Sequence, residues 1–139
     1  MDKRKGIFNA INCDIICICE THLAKENEIF VPGFSWFGHN RSEIHKNAPK
    51  ASGGVWILIR NWIIECYNVC IIDKAYALGL KFTNQVTDSD FIMFACYLPP
   101  ENSTRGRDAP SFFAHLLAQI YLYDECDAIF ISGDFNARI

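Results

Sequence analysis

The sequence has no Cys-x-x-Cys pair among its seven cysteines, no internal repeat and no low-complexity tract. The missing pair argues against a zinc ribbon or a paired-thiol redox motif, both of which need two thiols on a turn. An odd set of cysteines, some inside apolar runs such as Cys17-Ile-Cys19, reads instead as small buried hydrophobes in a reducing compartment. No stretch approaches the roughly 18 apolar residues of a membrane span. The charged start Met1-Asp-Lys-Arg-Lys-Gly6 is followed by a run broken at Asn9, Asn12 and Asp14, with no small-residue cleavage site. No signal peptide is therefore expected, and an intracellular location, nuclear or cytoplasmic, is. A strong charge of either sign is also lacking, with 13 basic against 16 acidic residues. A net charge of −3 does not mark a nucleic-acid binder, but it leaves one open, because acidic metal-binding groups offset basic contact residues.

What is present is an apolar chain of single-domain size. Half of the 139 residues are hydrophobic and mean hydropathy is +0.06. That fits a well-buried core, or a piece of a larger domain lacking part of its polar shell. Residues 3–12 read as the end of a helix, with Ile7, Phe8 and Ile11 at helical spacing. Residues 14–20 form a strand apolar on both faces, which predicts a central position. A short strand follows at 35–37, then a basic, amide-rich loop over 39–50. Gly53-Gly54 opens a strand over 55–60, and two more strands are expected at 63–72 and 76–82. A polar turn over 83–90 precedes a two-faced strand at 91–98, stopped by Pro99-Pro100. Asp108 and Pro110 suit the start of a helix whose apolar stripe is Phe113, Leu116, Leu117 and Ile120. The last strand, 128–132, runs into Gly133-Asp-Phe-Asn136. Consecutive strands mixed with a few helices predict an α+β fold.

Three apolar strands thus end in polar groups: Glu20, Tyr97, and Asp134 with Asn136. If these ends meet, they form one site with two carboxylates, a phenol and an amide. Such a set suits phosphoester hydrolysis. A hard cation such as Mg²⁺ needs oxygen ligands and keeps several waters, so one or two carboxylates suffice. A carboxylate can take the proton of an attacking water, and Tyr and Asn can donate to phosphoryl oxygens as charge builds there. Taken one at a time the residues have ordinary readings: a solvated Glu, a half-buried Tyr and an Asx turn. Their recurrence at successive strand ends favours a site.

Read together, Glu20-Thr21-His22-Leu23 after Asp14-Ile-Ile-Cys17, Gly53-Gly54-Val55, Tyr97-Leu-Pro-Pro100 and Gly133-Asp-Phe-Asn-Ala137 resemble the endonuclease/exonuclease/phosphatase superfamily. The likeness is nearest to the endonuclease domains of non-LTR (LINE-type) retrotransposons and spans almost the whole chain. It implies a partial four-layered α/β-sandwich, two sheets flanked by helices, with the C-terminal half missing, and residues 1–139 as a single incomplete domain. It implies Mg²⁺-dependent nicking of DNA, with Mn²⁺ as a substitute. Glu20 would be the metal-binding carboxylate and Tyr97 a contact to the scissile phosphate. Asp134 would orient the attacking water, and Asn136 would hold the phosphate and Asp134. Asn40 and Arg41 would touch DNA; His22 reads as an exposed side chain.

Two departures matter. The family's first-strand Asn has no match, since Asn9 and Asn12 fall in the expected helix. Its closing Asp-His pair has none either, because His115 is in a helix and His39 and His45 are in the early loop. The chain is therefore expected to be weakly active or inactive. Two other readings stand beside the nuclease: a small-molecule or lipid phosphodiesterase of the same fold, and a non-enzymatic degenerate fragment. Half a two-sheet sandwich would also expose an apolar sheet face and open strand edges, which predicts poor solubility.

Overall fold

A computed structural model describes residues 3–21, 29–39, 54–100 and 109–137. Its elements are α1 (Lys3–Ala10), β1 (Ile15–Cys19), β2 (Phe34–His39), β3 (Val55–Arg60), α2 (Asn61–Cys66), β4 (Tyr67–Asp73), β5 (Ala77–Asn84), β6 (Asp90–Tyr97), α3 (Ala109–Leu122) and β7 (Ala128–Asp134). They form two sheets, in the strand orders β1-β3-β2 and β4-β5-β6-β7. All pairs are antiparallel except β6 with β7, which α3 joins as a parallel crossover.

Side-chain alternation on β3 explains the layers. Val55, Ile57 and Ile59 point toward the second sheet and meet Leu78, Leu80, Phe82 and Ala95. Leu58, on the opposite face, packs with Val31 and Phe34 beneath Phe8 of α1. The second sheet repeats the pattern on β6. Ile92, Phe94 and Cys96 turn outward and bury Phe112 and Leu116 of α3. The result is an α+β sandwich of two sheets flanked by helices. Fully burying one large apolar side chain is worth about 1.5–3 kcal/mol, so the stacked strands carry most of the stability.

Four expectations need correction. The first is the place of residues 14–20: β3, not β1, is central in its sheet, and β1 lies at an edge among the described residues. Its outward Ile16 and Ile18 are covered by packing around Leu58 rather than by a flanking strand. The second is the strand over 63–72, which begins as the helical turn α2 and becomes extended only at Tyr67. Nothing local announces that turn, since Arg60 makes no side-chain cap; Ile63 is held in the core instead. The third is the stripe of α3. Phe112 and Leu116 are its buried residues, while Phe113 and Leu117 are exposed. The fourth is the edge of the early loop, because His39 still belongs to β2.

Candidate active site

Every predicted group within the described residues stands at the same end of the sandwich. β1 stops at Cys19, and Glu20 takes a left-handed backbone, φ +53°. The next amide, Thr21 N, donates to Gly54 O at 3.4 Å, where Gly54 (φ +94°) opens β3. That corner turns Glu20 away from its own sheet. Its Oε1 accepts a 2.5 Å hydrogen bond from Tyr97 Oη, at the end of β6 in the other sheet. Tyr97 is in turn the register partner of Asp134, the last residue of β7. Two sheets and three strand ends therefore converge on one cluster.

Asp134 and Asn136 are tied to each other and to β6. Asn136 N donates to Asp134 Oδ1 at 2.8 Å, an Asx turn. Its side-chain Nδ2 donates to Leu98 O at 2.7 Å, and Leu98 N donates to Asp134 O at 2.9 Å. Asn136 holds φ +47°, a conformation Asn tolerates better than most residues. Gly133 has a steric reason: at φ +152° a Cβ there would overlap the Cys96 carbonyl. Any side chain would push β7 off β6 and carry Asp134 with it.

Several contributors carried no sequence signal. Phe135, between the two polar residues, lies 6.0 Å from Phe113 in a stacked pair and 6.3 Å from Phe112 edge-on. Helix α3 thereby pins the loop that carries Asp134 and Asn136. Cys19 sits beneath the cluster and its Sγ donates to Cys96 O at 3.3 Å. Burial raises its thiol pKa, opposed by a backbone hydrogen bond at Asp134 and reinforced by the charges of Asp134 and Glu20. Cys17 is pushed up to about 11, by burial first and then by Cys19. Both thiols stay protonated at neutral pH and serve as packing, not as nucleophiles.

Asn40, Arg41, His22 and His45 lie outside the described residues. Asn9 is in α1, Asn12 follows it, and neither is at a strand end. His115 belongs elsewhere: its Nε2 is 3.0 Å from Oδ2 of the buried Asp73, and its ring stacks on Tyr76 at 4.5 Å. That pair clasps α3 to the far side of the second sheet. An open apolar cleft of about 410 Å³ lies between the sheets, bordered by Ile15, Phe91, Met93, Ala128 and Phe130. These residues sit at the starts of their strands, so the cleft is at the opposite end from the cluster.

The donor set fits a hard divalent cation. Among the described residues no three His, Cys, Asp or Glu side chains gather as a metal cage. Glu20 commits one oxygen to Tyr97 Oη and Asp134 one to Asn136 N, and among the described residues neither commits the other. A carboxylate oxygen of Glu20, completed by waters, would suit Mg²⁺ better than zinc.

The two sheets and their flanking helices form an α+β sandwich, consistent with a neighbour of endonuclease/exonuclease/phosphatase-like fold. Among solved structures, the chain is similar to the human Nocturnin catalytic domain with bound sulfate anion, at TM-score 0.57 and 14% identity. That match covers 99% of this chain and 58% of the length of the Nocturnin chain. No family model and no curated protein matches.

Proposed function

We propose that the Glu20–Tyr97–Asp134–Asn136 cluster is a phosphodiester hydrolysis site, and that its substrate is DNA, nicked as by a retroelement endonuclease. The observation that carries this reading is the Tyr97–Glu20 hydrogen bond between sheets, made by the same Tyr97 that pairs with Asp134. The sulfate named with the Nocturnin domain, a tetrahedral anion of phosphate's shape, supports the same class of ligand.

Glu20 would hold the cation through its other oxygen, while Tyr97 fixes the carboxylate's rotamer. When bound, Mg²⁺ neutralises phosphate charge and stabilises the charge that develops on oxygen. Asp134, one oxygen held by the Asn136 amide, uses the other to orient a water and accept its proton. Asn136 Nδ2, with one proton on Leu98 O, has a second for a non-bridging oxygen, and Tyr97 Oη would donate to one by turning its single proton from Glu20. No imidazole stands at this cluster among the described residues, since His115 is engaged with Asp73.

Supercoiled plasmid incubated with Mg²⁺ tests the proposal. Slow nicking that stops in EDTA and disappears in Asp134→Ala supports it. Nicking that survives Asp134→Ala overturns it. So does cleavage of a phosphoinositide by a protein that leaves DNA intact, which would favour a lipid phosphatase.

A further inference from the structure

Cys19, Cys96 and Gly133 each stand one residue before a member of the cluster, Glu20, Tyr97 and Asp134. They lie on β1, β6 and β7, and they meet at one backbone atom. The Cys19 thiol crosses from the first sheet to the second and donates to Cys96 O at 3.3 Å. Gly133 is the register partner of Cys96, and a Cβ on it would fall 1.9 Å from the same oxygen. Strand β7 thus lies close against this carbonyl, while β1 reaches it with a thiol. A backbone hydrogen bond at Asp134 also involves that thiol. Cys19 therefore ties β1 to both of the strands that carry the rest of the cluster.

The bond differs in kind from the one above it. Glu20 and Tyr97 meet at the tips of long side chains, with several rotatable bonds between each tip and its backbone. Such a pair can form over a range of strand separations. The Cys19 thiol reaches main chain through χ1 alone, so its bond constrains the strands themselves. Cysteine also suits the place chemically. It is among the most readily buried side chains, and its S–H is a weak donor that brings no water beneath Glu20.

We infer that Cys19 is a positioning residue whose thiol, bonded to the Cys96 carbonyl, sets the separation of β1 from β6 and β7 and so the placement of Glu20 against Tyr97 and Asp134. Its effect on cleavage rests on the phosphodiesterase reading above; its effect on geometry does not. Beyond filling space, the thiol holds the three strand ends in register across the gap between sheets. Serine keeps a donor at this position on a shorter bond. Alanine and valine remove the donor, valine while keeping bulk.

NMR of the 139-residue chain labelled with ¹³C at tyrosine Cζ tests this. The chain has five tyrosines, and the Tyr97 signal is the one lost in Tyr97→Phe. Glu20→Gln calibrates how far that signal moves when the carboxylate acceptor is removed. Cys19→Ala and Cys19→Val should move it in the same direction. In both, kcat for plasmid nicking should fall about 10–10²-fold with KM nearly unchanged. Cys19→Ser should keep the signal near its wild-type position and recover most of kcat. Cys70→Ser, exposed on β4, should alter neither. Should the valine variant fail to fold, the comparison of alanine with serine decides. A Tyr97 signal unmoved in Cys19→Ala overturns the inference. So does a serine variant as displaced as the alanine one, which would leave the thiol a space-filling role alone. A wild-type chain that nicks nothing sinks the phosphodiesterase reading instead, and the Tyr97 signal then decides the positioning role by itself.

Discussion

Tyr97 and Glu20, 77 positions apart, share a 2.5 Å hydrogen bond that joins the two sheets at the candidate site. Tyr97→Phe removes only the hydroxyl, so the aromatic packing survives. Stability should fall by about 0.5–1.5 kcal/mol, the net worth of one such bond. Phosphodiester cleavage should fall by about 10²-fold or more, because the donor is also lost in the transition state. Urea melts and plasmid nicking, run side by side, separate the two effects. Equal nicking by Tyr97→Phe would remove Tyr97 from the mechanism.

Gly133 is expected to tolerate no side chain. Gly133→Ala puts a methyl group against the Cys96 carbonyl, and the strain should cost about 1–3 kcal/mol. Part of it will be relieved by movement of β7, which shifts Asp134. Amide exchange should rise at Leu98, whose N–H donates to Asp134 O. Unchanged protection at Leu98 would contradict the account.

His115→Ala tests the clasp on α3. Asp73 is buried and would keep the 2.9 Å bond from Ala75 N but lose its ring partner. The expected loss is about 1–3 kcal/mol. In Asp73→Asn the carboxylate is gone, so the further change to His115→Ala should cost less. Additive losses in the double variant would show that the two residues act independently.

Acid should loosen the junction where β6 and β7 begin. Asp127 Oδ2 accepts from Ser89 Oγ at 2.8 Å and from Asp90 N at 3.0 Å. The Ser89 hydroxyl, then the Asp90 amide, hold its pKa below the ordinary 3.8. A carboxylate depressed on folding adds stability in full above its unfolded value, and that stability is lost as pH falls through the lower folded value. The gap in melting temperature between the protein and Asp127→Ala should be widest near neutral pH and close below 3.8. A gap independent of pH would rule out the carboxylate as its cause.

Strands stood out in the sequence where an apolar run met hard punctuation. Pro99-Pro100 ends β6, Gly53-Gly54 precedes β3, and Gly133-Asp134 closes β7. The cluster was legible for the same reason: its members are the polar residues that terminate those runs. The two-faced apolar pattern of β1 misled as to its place, because it reports that both faces are covered, as they are, and not how many edges are paired. In α2, Trp62-Ile63-Ile64 suits a strand or a helix alone, and only the contacts of Ile63 decide. With apolar residues on most of α3 and only Ser111, His115 and Gln119 polar along one line, periodicity left the buried side loosely fixed, and it slipped by one residue from Phe113 to Phe112. Neither the Asp73–His115 pair nor the Phe135 clamp leaves a local trace, since each joins segments distant in sequence.

The corner at Glu20 belongs to one sheet, and Tyr97 with Asp134 to the other. The spacing of these groups is thus a measurement of how far apart the two sheets ride. Between the sheets, the Sγ of Cys17 lies 3.7 Å from the Sδ of Met93. Compliant sulfur packing there acts as a gauge block for the residue cluster at the far end. Substitutions in that seam should change the alignment of Glu20, Tyr97 and Asp134 before they change whether the chain folds.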